Sequence, residues 1–338
     1  MITIDGSKLE GGGQTLRTAV SLAAVFNKPC RIFNIRKNRK SPGLKAQHLA
    51  SIRAVSQLCR GALKGDSLNS EEIEFYPGNS YLSSVSVEIS TAGSICLASQ
   101  SVLPVFLTAS EPLSINFKGG ATDTFFSPTL SHFQHVFLEI IRNHGGEIRV
   151  NADQKGYYPE GGARVEVEGS PSEMKPFRLK ERGGLEKILV ISNASASLKE
   201  KKVAERQVTG VKGVLSKLNL PLEEKINYHQ TSCPGSDLCI IAYFENTVIG
   251  TDNLGKIGKP AEEIGKEAAL ELLREEKTNA CLDRHTGDQI LPYMPLSSKK
   301  SRITVSEITS HCKTNMWVIE QFTDGNFEIK DQLITWNP

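Results

Sequence analysis

Gly11-Gly12-Gly13-Gln14, an apolar run from Leu16 to Phe26, Pro29, an alternating Arg31–Ile35 and then Ser41-Pro42-Gly43-Leu44 form a pattern that returns later in the chain. The second copy is Ala92-Gly93-Ser94, Ile95–Leu107, Pro112, Leu113–Phe117 and Ser127-Pro128-Thr129-Leu130. The two Ser-Pro-x-Leu elements stand 86 residues apart, and Gly13 and Gly93 stand 80 apart. Each copy reads helix, strand, helix, because apolar residues recur first at helical spacing and then in alternation. Serine suits an N-cap and proline at the first helical position loses no needed hydrogen bond, so helices are predicted to open at Ser41 and Ser127. They run through Leu58 and Asn143, with strands at Ile73–Tyr76, Val85–Ile89 and Glu147–Val150 filling in. This period is too long for a solenoid. It predicts duplicated units in which two helices cover one face of a small sheet.

Outward from these copies, a third, partial one closes the chain. Arg302–Ile308 alternates, Thr309-Ser310 offers a cap, Cys312–Phe322 reads as a helix and Phe327–Trp336 as strands. The texture differs in between, with charged helices at Lys199–Leu218 and Ala261–Glu276 and strands at Ile188–Ser192 and Leu238–Phe244. The predicted class is α+β: a large domain of three repeated α/β units, each with two helices on a four-stranded sheet. It spans 1–180 plus 277–338, with a smaller α/β domain, 181–276, inserted.

Composition narrows the function. A 338-residue chain with 39% hydrophobic and 23% charged residues suits a globular core and argues against disorder. The net charge of +2 hides a split: residues 1–65 carry twelve Lys/Arg against only Asp5 and Glu10, which leaves −8 on the remainder. Such a block fits an anionic partner, phosphate or nucleic acid, or a solvated basic face. Met1–Gly13 holds Asp5, Lys8 and Glu10 where a signal peptide would be apolar. Ile89–Ser110, the longest uncharged stretch, is broken by Gly93, Gln100, Pro104 and several serines, so no membrane span is expected. The seven cysteines are scattered without a CxxC pair, which points away from disulfides or structural zinc and towards a cytoplasmic protein.

Several residues can carry chemistry. The glycine run before a helix either makes a turn or presents backbone N–H groups to phosphate. Glu10 beside it can hold a divalent ion and Arg17, one turn inside, can meet phosphate oxygens. Arg36 and Arg39, at a strand end before a helix, form either a phosphate clamp or an exposed basic loop. Gln47 and His48 follow on that helix, where His48 shares a face with Leu44, Ile52 and Val55 and can equally be structural. His311 falls behind Thr309-Ser310 at a helix start, where neutral imidazole is favoured and phosphate is welcomed. Neutral imidazole is a competent nucleophile towards phosphorus, although a lone histidine can also be structural. Asp288, at the head of a strand-like Ile290–Tyr293, can orient the other ring nitrogen. His132 and His135 are three apart on a helix with no acidic third ligand, so both are assigned structural roles; His144 reads as a helix terminus.

Taken in order, these motifs resemble the RNA 3'-terminal phosphate cyclase family. The resemblance rests on Glu10-Gly11-Gly12-Gly13-Gln14-Thr15-Leu16-Arg17, Ile35-Arg36-x-x-Arg39 with Pro42-Gly43-Leu44 and Gln47-His48, and Thr91-Ala92-Gly93-Ser94 with Gln100. Tyr158-Pro159-x-Gly161-Gly162, Pro234-Gly235, Gly258–Glu263, Asp288-Gln289-x-Leu291-Pro292 and His311-x-x-Thr314-Asn315 complete it. The resemblance implies ATP-dependent conversion of an RNA 3'-phosphate to a 2',3'-cyclic phosphate, through a histidine-bound adenylate and an RNA(3')pp(5')A end. It implies that His311 is the nucleophile, that Glu10 holds Mg²⁺ or Mn²⁺, and that Arg17 and Arg39 contact the ATP phosphates. Arg36, Gln47 and His48 would help bind phosphates or the RNA end, while Gln100, Pro128, His285 and Asp288 would surround the adenosine. The implied partners are ATP and RNA with a 3'-phosphate, with no membrane; oligomeric state stays open. Cyclase-like relatives that act in ribosome assembly lack the nucleophilic histidine, which sets a non-catalytic RNA-binding role as the alternative. The sequence departs from the family pattern at Leu9 and Ala163, where glycine is usual, at Ala46, and over Thr122–Phe133.

Overall fold

The computed structural model describes residues 1–218 and 221–338. Its first sheet carries strands Ile2–Asp5, Cys30–Phe33, Ile73–Tyr76 and Ala62–Lys64 in that spatial order. The first pair is parallel and the other two pairs are antiparallel. Helices Gly13–Val25 and Ala46–Leu58 connect them. The second sheet repeats this arrangement with Ser84–Ser94, Leu113–Ala121, Arg164–Ser170 and Glu147–Gln154. Inward Val85, Val87 and Ile89 alternate with exposed residues along its first strand, as a sheet with one covered face requires. Its helices are Ile95–Thr108 and a segmented helix over 130–143, in which a π turn, Phe133–Phe137, joins Leu130–His132 to Leu138–Asn143.

The third unit is complete and interrupted, not partial. Arg178–Leu179 supplies its first strand, pairing parallel with Ser301–Thr304; Leu333–Asn337 and Asn326–Lys330 follow antiparallel. The order and senses match the first two sheets. Its helices are Arg284–Ile290 and Ser310–Phe322. The expected strand over Ile290–Tyr293 is replaced by the end of the first of these helices and a 3₁₀ turn, Leu291–Leu296. Asp283 accepts from the backbone N–H groups of His285 and Thr286 and starts the helix, and Pro292 and Pro295 cannot donate to a strand ladder.

Other helix starts also move. Thr309 caps its helix as expected, its hydroxyl accepting from Cys312 N–H. Ser41 and Ser127, however, are not caps: the helices begin at Ala46 and Leu130, after Lys45 and Thr129. The Ser127 hydroxyl donates instead to the Thr124 carbonyl. The helix expected over Lys199–Leu218 is Val203–Leu215 between two 3₁₀ turns.

The fourth sheet differs in order: Leu222–His229, Leu185–Ser195, Ser236–Phe244, Val248–Leu254. Helices Val203–Leu215 and Ala261–Lys277 cover one face, forming a core of their own around Val190, Val208, Leu238 and Leu272. Leu189, Ile191, Cys239 and Ile241 on the other face join the main core. Burial on both faces explains the near-continuous apolar run of Ser236–Phe244.

The Gly13 helix packs against the Ala46, Ile95 and Ser310 helices, and so touches all three units. It is buried almost all round, which its alanines, valine and leucines allow. None of the described helices is long and apolar enough to cross a membrane.

Candidate active site

The loop between Asp5 and Gly13 is tied to its neighbour over 34–43. The Asp5 carboxylate accepts from Ser7 and Asn34, and Asn38 donates to the Ser7 carbonyl. The three glycines have three different causes. Gly11 turns the chain at φ +64°. A methyl group on Gly12 would fall on the Glu10 carboxylate, and one on Gly13 would fall on the His48 imidazole. The run is thus what lets Glu10 and His48 close on the helix start.

Glu10 is almost fully buried. Its carboxylate pairs with Arg39 and lies 3.9 Å from His311 Nδ1, while its Oε2 has no hydrogen-bond partner. Thr314, in the His311 helix, accepts from Glu10 N–H at 3.2 Å. His311 sits in the first turn of that helix with nearly half its side chain exposed. Burial, with the positive charges of Arg17 and Arg39, lowers its pKa, so the ring is neutral at pH 7.

Gln14 joins the two groups that the sequence placed in direct contact. Its Nε2 donates to Asp288 Oδ2 at 2.7 Å, and its Oε1 meets His311 Nδ1. Asp288 therefore acts on His311 through an amide and does not touch the ring. When Asp288 is ionised its carboxylate takes the amide N–H, so Oε1 accepts from Nδ1–H. That assigns the tautomer in which the Nε2 lone pair is free. The Asp288 carbonyl accepts from Asn315 Nδ2 at 2.7 Å, and Thr18 donates to Asn315 Oδ1 at 2.7 Å, which locks the segment.

Burial, reinforced by Asp283, pushes the Asp288 carboxyl up to about 7, against Gln14 and Arg17. A raised carboxyl contributes stability below its unfolded value of 3.8 and loses it as pH rises through 7. Relative to Asp288→Asn, the parent protein is therefore expected to lose stability between pH 4 and 7. Urea unfolding at several pH values reads this, and a pH-independent difference would contradict it. Burial lowers Arg17 to about 10, with Asp288 opposing, so it stays cationic.

A cavity of 520 Å³ lies beside this centre. Gln14 and Arg17 line it from the first unit, Gln100 and Pro128 from the second, and His285, Asp288 and His311 from the third. Gln100 Nε2 donates to Gln289 at 2.8 Å across the second and third units. Asp252, from the fourth sheet, also reaches the wall and accepts from Thr129 N–H at 2.6 Å. Asp252 lies in no local motif that would mark it from the sequence.

Of the remaining expected residues, Arg36, Gln47 and His48 stand outside this cavity, while buried His132 lines it. Arg36, at φ +56°, spends its guanidinium on the Ser41 and Gly43 carbonyls and shapes its loop. Gln47 accepts from Ser94 N–H at 3.1 Å, joining the first unit to the second. His48 accepts from Lys45 N–H at Nδ1, and burial holds it near pKa 3, so it is a neutral ring with its proton on Nε2. His132 is buried, its Nε2 3.9 Å from Asp283. No group of three or more metal-ligating side chains occurs among the described residues.

A family model for RNA 3'-terminal phosphate cyclase matches residues 8–329. A protein of that name from Pyrococcus furiosus is 41% identical over 331 residues, which cover 98% of this chain and 95% of the relative. One from Saccharolobus solfataricus is 40% identical over 334 residues, covering 97% and 96%. The chain belongs to the RNA 3'-terminal phosphate cyclase family. The departures from the family pattern then acquire a physical reading. Leu9 holds φ +56°, the left-handed region where glycine has no penalty. Leu9→Gly is expected to stabilise the protein by about 1 kcal/mol, less the extra entropy of an unfolded glycine. Urea unfolding measures it, and a loss of stability would contradict it. Ala163 is fully buried but is not among the left-handed positions, so the cyclase fold accommodates its methyl group.

Proposed function

We propose that this chain uses ATP to convert an RNA 3'-phosphate end into a 2',3'-cyclic phosphate, with His311 carrying the adenylate. The observation that carries the reading is the Asp288–Gln14–His311 series beside a nucleotide-sized cavity. It holds a neutral imidazole with Nε2 free.

His311 Nε2 attacks the α-phosphorus of ATP; the Nε2–P bond forms, the α–β bridging P–O bond breaks, and pyrophosphate leaves. The ring becomes cationic as the bond forms. Gln14 Oε1, backed by the Asp288 carboxylate, stabilises the Nδ1–H through that change, as does nearby Glu10. An RNA 3'-phosphate oxygen then takes the adenylyl group from His311, giving RNA(3')pp(5')A. The neighbouring 2'-hydroxyl attacks the 3'-phosphorus and AMP departs. Arg17 meets phosphate charge at the cavity wall and Arg39 does so beside Glu10. Arg36 fixes the loop from which Arg39 projects, while Gln47 and the Nε2–H of His48 are assigned to phosphates or the RNA end. Gln100, Pro128 and His285 bound the adenosine.

The buried Glu10 Oε2, without a hydrogen-bond partner, fits a carboxylate that would hold a divalent ion. Glu10 would hold Mg²⁺ or Mn²⁺ there, and the ion would supply charge neutralisation for the triphosphate. The presence of His311, neutral and accessible, supports catalysis over a purely RNA-binding role. Incubation with α-labelled ATP and either ion, followed by denaturing electrophoresis, is expected to leave an acid-labile label on the protein. His311→Ala is expected to remove it. An unlabelled parent protein at every ion concentration would overturn the reading.

A further inference from the structure

Three aromatic side chains stand exposed to water, and one of them, Phe126, borders the cavity. Phe126 is entirely exposed, Tyr158 is 58% exposed and Phe125 43%. Phe125 and Tyr158 meet edge to face, their centroids 5.7 Å apart and their planes at 68°. Phe126 borders the cavity, whereas Phe125, its neighbour in the chain, and Tyr158 are not part of its wall. Phe126 also holds φ +62°, which L residues with bulky side chains rarely adopt. Exposed rings together with an unfavourable backbone mark a surface shaped for a ligand.

The rings are mounted rigidly. Asp123 and Tyr157 form a β-bridge two residues before Phe125 and one before Tyr158. Beneath them, buried Lys155 pairs with Asp123 at 3.1 Å and with Asp237 at 2.7 Å. The Tyr157 hydroxyl donates to Asp237 at 2.7 Å, and Asn193 donates to its other oxygen at 2.8 Å. This network ties both aromatic loops to the fourth sheet, so little ordering cost remains when a ligand lands on them.

We propose that Phe126, Phe125 and Tyr158 form a stacking step for the single-stranded bases next to the 3'-phosphate of the RNA. The proposal rests on the reading of this chain as an RNA cyclase. Phenylalanine and tyrosine stack splayed bases without regard to sequence, because every base has a π face. The adenine of ATP is the weaker occupant, since two of the three rings lie beyond the cavity that would hold it.

The test is fluorescence anisotropy with a 5'-labelled ten-nucleotide RNA carrying a 3'-phosphate. Phe125→Ala/Tyr158→Ala is expected to weaken binding about tenfold or more, and Phe126→Ala to weaken it further. Phe125→Tyr/Tyr158→Phe, which keeps both rings, is expected to bind like the parent protein. An abasic strand of equal length is expected to bind parent and alanine variants alike, and labelling of Phe125→Ala/Tyr158→Ala by ATP is expected to be unchanged. Parent-like RNA binding by the alanine variants would overturn the proposal. So would an equal loss on the abasic strand, or a raised ATP requirement for labelling. A parent protein that ATP never labels would overturn the cyclase reading instead, and the base-dependence of strand binding would still decide the stacking step.

Discussion

Gln14→Ala is expected to slow adenylate transfer to the protein by roughly 10²–10³-fold, the scale of losing a group that fixes a catalytic imidazole. The amide does two things at the site. It accepts from His311 Nδ1–H, which keeps the lone pair on Nε2, and it hands the influence of Asp288 to the ring. Without it the imidazole samples both tautomers, and Asp288 loses its one side-chain hydrogen-bond donor. The carboxyl then rises further, since burial is the main cause of its shift. Gln14→Glu separates the two roles: it can still accept from Nδ1–H, but its charge faces Asp288. Its rate is therefore expected to lie between those of the parent protein and the alanine variant. Single-turnover labelling across ATP concentrations reads the rate apart from nucleotide affinity. A loss of threefold or less in Gln14→Ala would remove the amide from the mechanism.

Lys155→Met is expected to cost about 3–5 kcal/mol of stability, as removal of one partner from a buried ionic cluster does. Lys155 is the cation between Asp123 and Asp237, and all three are buried. Burial and the neighbouring Asp237 charge raise Asp123 to about 6 even with the lysine present. Without the lysine, two carboxylates face each other away from water, and neither can ionise cheaply. The variant is therefore expected to recover part of its loss at low pH, where the carboxyls are protonated. Urea unfolding at pH 5 and pH 8 measures both effects. A loss under 1 kcal/mol at pH 8 would mean that water reaches the cluster.

The repeat was legible because its markers are local. Glycine entries, apolar periodicity and alternating strands return at nearly constant spacing, and they correspond to the first two sheets. The third unit looked partial because Arg178–Leu179 is too short to show alternation and is far in sequence from its partner, Ser301–Thr304. The Ser-Pro elements misled for a different reason. Residues 41–45 are held as a loop by the Arg36 guanidinium, whose bonds to the Ser41 and Gly43 carbonyls have no signature in a local reading. Glu10, Arg17, Asp288 and His311 stood out by residue type. Gln14 was visible in its motif without a role, because its two hydrogen bonds reach residues 274 and 297 positions away. The aromatic step was equally silent: Phe125 and Tyr158 become neighbours only through the Asp123–Tyr157 bridge.

On the proposed reading, one histidine carries the adenylate between ATP and the RNA end. The most direct measurement is a chase: protein labelled with α-labelled ATP, freed of nucleotide and then mixed with an RNA bearing a 3'-phosphate. The account predicts that the label leaves His311, appears on the RNA, and ends as AMP in equal amount to the cyclic phosphate formed. Label that stays on the protein while RNA ends are cyclised, or cyclisation undiminished in His311→Ala, would contradict it.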